Sequence, residues 1–221
     1  MFDIHRSIHD RHGEIDDERV EKYIDGLMEE FVASAEAQPV LDEFGERGFA
    51  AFMMEYAINY IGVTPHKMSL ADFNEVVFQL FPRKVSTEPD SAASIVAELR
   101  AFWHFLHRQY GLANAVAIAA SLTDAAVKRL ERELANPANY GMAKSLVMRG
   151  MQAGYDMTTQ EGTAEFMAAY NSSLAGGANE IEDVPLPAPI WDFPSPLSPK
   201  QRTDKRKKRK TQRQAKKRNR K

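Results

Sequence analysis

Between Asp17 and Ser172 apolar residues recur every three or four positions, and nowhere do four or more alternating β-branched residues run between turn signals. That pattern confines the chain to helices. The stretch DERVEKYIDGLMEEFVASA, Asp17 to Ala35, sets Val20, Tyr23, Ile24, Leu27, Met28 and Phe31 on one face, with Asp16, Asp17 and Glu18 at the positive end of its dipole. Residues 47–61 (RGFAAFMMEYAINYI) are apolar nearly all round, which predicts a buried central helix stopped by Gly62. Ser69 and Asp72 have the spacing of a capping box, and the helix they open is expected to end at Phe81, because Pro82 cannot continue it.

Further helices are expected from Asp90 or Ser91 to Tyr110, over Leu112 to Leu122, from Thr123 to the Asn136-Pro137 break, over 139–153, and over 159–172, the last opened by Thr158 and Glu161. The expected fold is all-α: an orthogonal multi-helix bundle of about seven or eight helices over residues 16–173. A flexible, disordered N-terminus over 1–15 and an extended C-terminal tail flank it.

After Ser173 the composition changes. AGGANEIED reads as an acidic spacer, and VPLPAPIWDFPSPLSP places six prolines between Pro185 and Pro199. Residues 174–199 therefore read as a linker with polyproline character. Ile190, Trp191 and Phe193 also allow a strap that docks back on the body.

The net charge of −2 conceals a partition. Residues 200–221 carry fourteen Lys or Arg and one acid, Asp204, for +13, so the other 199 residues carry −15. Of these, residues 1–82 hold −11, residues 83–149 hold +3 and residues 150–199 hold −7. Like charges this dense repel one another and bury nothing, so residues 200–221 read as a disordered tail.

Polyanions suit such a tail, because each phosphate neutralised by Lys or Arg releases condensed counterions. Lys205, Arg206, Lys207, Lys208, Arg209, Lys210, Arg213, Lys216, Lys217, Arg218, Arg220 and Lys221 are the candidate nucleic-acid-binding residues. No aromatic follows Lys200, which excludes base stacking there, so contact with RNA or DNA through the tail is not sequence-specific. Alternatively the tail folds back on the acidic body, since the two charges are nearly matched.

Other chemistry is sparse. The chain has no cysteine, which excludes disulfides, thiolate zinc sites and cysteine nucleophiles. His5, His9 and His12 would share a helical stripe able to hold zinc, but Gly13 interrupts it, so no metal is assigned. Arg100, His104, His107 and Arg108 read as a solvated helix face, with an anion-binding stripe as the alternative. Arg83 and Lys84 suit the negative end of a helix. Met142, Met148, Met151 and Met157 read as adaptable core or a binding groove. Lys144 and Ser145 are adjacent, the wrong relation for a helical Ser–Lys catalytic pair. No phosphate-cradling loop, HExxH or nucleophile elbow occurs, so no cofactor and no catalytic residue is assigned. MFDIHRSIHD lacks an apolar run, and no stretch reaches the roughly 18 residues of a membrane span, which predicts a soluble, cytoplasmic protein.

FPRKVS (81–86), ELRAFWHFLHRQYGL (98–112), NYGMAKSLVMRGMQAGYDM (139–157) and the basic close resemble a family of uncharacterised bacterial helical proteins with basic C-terminal tails. The resemblance implies an all-α body and a bacterial cytoplasmic setting, and it implies no activity. The expected function is a non-enzymatic adaptor, associated with RNA, a ribosome or DNA through its tail. The alternative is a protein–protein interaction module with an acidic helical body and Pro-rich strap, its tail serving solubility or autoinhibition.

Overall fold

The computed structural model describes residues 2–45 and 48–176. The regular elements are α1 (Asp17–Val32), α2 (Gln38–Phe44), α3 (Phe49–Tyr56), α4 (Leu70–Glu75), α5 (Phe81–Lys84), α6 (Ala92–Tyr110), α7 (Ala113–Ser121), α8 (Asp124–Ala135), α9 (Met142–Gln152) and α10 (Gln160–Gly176). A π turn over Ala57–Ile61 prolongs α3, and another over Val76–Leu80 joins α4 to α5 as one rod. Among the described residues there is no strand, only an isolated antiparallel bridge between His9 and Ile15. The chain is an all-α bundle.

α1 begins where its acids favour it. The Asp16 side chain accepts from the Arg19 backbone N–H at 3.0 Å, and Asp17 and Glu18 follow in the first turn. The Ser69–Asp72 capping box forms as its spacing predicts. Gly62 and Gly111 end their helices in the left-handed region, with φ of 76° and 63°, where a side chain would be strained.

Three expectations are corrected and one helix is added. The first concerns the N-terminal 15 residues, which pack on the body instead of remaining free. Ile4 and Ile8 are 2% and 3% exposed, and the Tyr23 hydroxyl donates to the Ile4 carbonyl at 3.0 Å. Burying two isoleucines outweighs the ordering of a short segment. The second point is the added helix, α2, over residues for which no helix was expected; its Pro39 sits in the first turn, where a missing N–H costs nothing.

The third point is at Pro82, which lies inside a helix. Over Val76–Leu80 the backbone bonds at the wider π spacing, with Phe81 N–H donating to Val76 O, so the proline enters at the start of a new helical segment, α5. The fourth concerns α10, whose leading hydrogen bond runs from Gly162 N–H to Thr159 Oγ1 at 3.1 Å instead of involving Thr158.

The central helix is α6. Eleven of its residues are buried, and it packs against α2, α3, α7 and α8. α3 was the expected centre, but Phe52 on it is 40% exposed and Glu55 faces water. The core is built on aromatic edges: Phe31 meets Phe102 at 5.2 Å between centroids, and Trp103 meets Phe73 at 5.9 Å, both near perpendicular. Beside Phe31 lies a partly open cleft of about 10 Å³.

Candidate functional site

The twelve basic residues expected to contact phosphates, Lys205 to Lys210, Arg213, Lys216 to Arg218, Arg220 and Lys221, lie outside the described residues. So do the Pro-rich segment and its Ile190, Trp191 and Phe193. The described body contributes an acidic groove and a secluded basic corner.

The groove runs between α1 and the α3 rod. Asp17, Glu21 and Asp25 stand one turn apart on α1, and Glu55 faces them from α3, with Ile24 and Tyr60 between. It encloses about 480 Å³. Its lining holds four carboxylates, a surface that attracts positive charge. Lys84 Nζ lies 4.9 Å from the centroid of the Tyr60 ring, which lines the groove.

The basic corner lies where α9 meets α5. Gly141 N–H donates to Arg83 O at 3.0 Å, and a Cβ on Gly141 would stand 2.8 Å from that oxygen, so only glycine permits the approach. Lys144, in the first turn of α9, is 1% exposed. Its Nζ has no hydrogen-bond partner and lies 4.4 Å from the Tyr140 ring centroid. Burial pulls its amine down to about 8, against the attraction of Glu88. The neighbouring Ser145 Oγ is also buried without a hydrogen bond.

Between Glu88 and α9 opens a cavity of about 410 Å³, with Ser86, Thr87, Ser91 and Ser94 on one side and Met148 and Met151 on the other.

The other singled-out residues are dispersed. His5, His9 and His12 form no helical stripe: the His5 ring packs edge-on against His66, with centroids 4.7 Å apart, and His9 bridges to Ile15. Among the described residues no group of three or more His, Cys, Asp or Glu is arranged to hold a metal ion. Arg100, His104 and His107 are exposed on α6, while Arg108 is drawn aside into a two-pronged ion pair with Glu36. Of the methionines, Met148 is core, whereas Met142 and Met151 are exposed. Among the described residues no helix is long and apolar enough to cross a membrane.

The burial of Lys144 escaped the sequence reading, although a signal existed. Gly141, Lys144 and Met148 stand at i, i+3 and i+7, so the lysine occupies the stripe that faces the core.

No family model, curated protein or solved structure matches this chain.

Proposed function

We propose that the chain is a non-enzymatic, nucleic-acid-associated adaptor of the cytoplasm that grips phosphate backbones of RNA, a ribosome or DNA through Lys205 to Lys221. The observation that carries this reading is the partition of charge, +13 over residues 200–221 against −15 over the remainder. Counterion release makes such a run bind polyanions without reading sequence. The acidic groove supports the reading, because it repels phosphate from that face of the body.

Replacing the twelve Lys and Arg between Lys205 and Lys221 by Gln is expected to abolish binding to a mixed RNA and DNA pool. With six to ten phosphate contacts, the native chain should lose roughly 10³–10⁵ in affinity between 50 and 200 mM salt. Unchanged binding after neutralisation or deletion of residues 200–221 overturns the proposal.

A second reading draws on the groove itself. A protein partner with a basic surface would complement Asp17, Glu21, Asp25 and Glu55. Capture of such a partner that survives nuclease, and fails with Glu21→Lys and Glu55→Lys together, would favour it.

A further inference from the structure

We propose that the N-terminal end of α9, with the Lys144 amine and the Ser145 hydroxyl, is a binding site for the phosphate of a small phosphomonoester. This site is separate from the tail and does not depend on it.

The first argument is an unmet demand. The Lys144 residue is 1% exposed and its ammonium makes no hydrogen bond, so the charge is held at a cost unless an anion joins it. The face of Tyr140 offsets part of that cost. Among the described residues, Glu88 is the carboxylate that acts on the amine; it is exposed and makes no hydrogen bond to it.

The second argument is position. Helical side chains lean toward the N-terminus of their helix, and the Tyr140 ring under Nζ belongs to the residue just before the Gly141 cap. The lysine thus reaches back over the open end of α9, which no side chain caps. An eleven-residue helix presents free N–H groups and positive potential there. Ser145, about 100° around the axis from Lys144, adds an unpaired hydroxyl. Clamping Gly141 on the Arg83 carbonyl fixes the end in place, so the donors are held before a ligand arrives.

The third argument is access. The cavity, lined by the hydroxyls of Ser86, Thr87, Ser91 and Ser94 and by the carboxylates of Glu88 and Asp90, meets this corner through Glu88, which acts on the amine, and through Met148, one turn along α9 from Lys144. A terminal phosphate would come in past Glu88, leaving a small polar, hydroxyl- or amine-bearing body in the cavity beside Ser86, Thr87, Ser91 and Asp90. A phosphodiester inside a polymer cannot bring its charge to an amine this secluded.

The test is a titration of the full chain with inorganic phosphate, followed through the backbone amide resonances of Met142 and Ala143. Saturable shifts are expected, with affinity about tenfold or more lower in Lys144→Met and about threefold lower in Ser145→Ala. In a second arm, an oligonucleotide lacking a terminal phosphate should bind the tail and leave these two amides in place. Shifts that stay linear in phosphate, or equal affinity in both variants, overturn the proposal. Shifts of the same amides by the oligonucleotide also overturn it, and transfer the site to nucleic acid. Should Lys144→Met fail to fold, Ser145→Ala decides alone.

Discussion

The Glu98 carboxylate, on the central helix, accepts a hydrogen bond from the Ala50 backbone N–H at 2.8 Å, across 48 residues of sequence. Ala50 lies in the first turn of α3, whose own cap, Gly48, offers no side chain. A buried acid on α6 therefore caps another helix, with charge and dipole aligned.

Replacing Glu98 by Ala would leave that N–H buried and unsatisfied. We expect a loss of about 1–3 kcal/mol in urea unfolding, and a smaller loss for Glu98→Gln, which keeps an acceptor. Equal losses would show that charge, and not the acceptor, is what α3 requires.

The N-terminal segment is expected to belong to the cooperative unit. Ile8→Ala should lower stability by about 2–5 kcal/mol, as for other buried isoleucines. Tyr23→Phe should cost about 0.5–1.5 kcal/mol by removing the bond to Ile4 O. Urea unfolding measures both, and a near-zero effect of Ile8→Ala would return the segment to the solvent.

His66 makes stability depend on acid pH. Burial, then Lys67 and His5, hold its imidazole down to about 4, opposed by the Ile4 backbone and Asp3. Between pH 6.5 and 4 the unfolded chain takes up a proton that the folded chain does not. Stability should therefore fall as pH falls through that window, and this group should contribute no slope above it. The slope is at most about 1.4 kcal/mol per pH unit, reduced by the water that reaches a half-buried ring. Thermal melts from pH 7.5 to 4 should be flatter for His66→Gln; superimposable profiles would remove His66 from the account.

Lys144 has the mirror effect at alkaline pH. Its folded amine titrates near 8 while the unfolded one remains charged to about 10.5, so the folded chain gains stability as pH rises between them. Lys144→Met should raise the melting temperature at pH 7 and lack that gain. A lower melting temperature at pH 7 would mean that the cation–π contact with Tyr140 outweighs the desolvation.

Much of the architecture was legible because it rests on local signals. The apolar stripe of α1, the Ser69–Asp72 box and the glycine at 111 each act within a few residues. What escaped depends on distant partners. The place of Ile4 and Ile8 follows from a surface that α1 and its neighbours create, so two apolar residues in a polar segment look unremarkable beforehand. The path through Pro82 relies on a π turn, which has no composition signature. The site was legible only in its charge. That Lys144 is secluded follows from α9 lying on α5, a meeting that Gly141 permits and that no periodicity announces.

The wide turn over Val76–Leu80 has a mechanical meaning for the corner it precedes. It is equivalent to one residue inserted into a helix, so excising a single residue there would rewind the rod and rotate everything after it by about 100°. The Arg83 carbonyl would swing out of reach of Gly141, and α9 would lose its mooring although every residue of α9 were intact. The spare residue thus acts as a phase adjuster, setting the angle at which one half of the bundle is offered to the other.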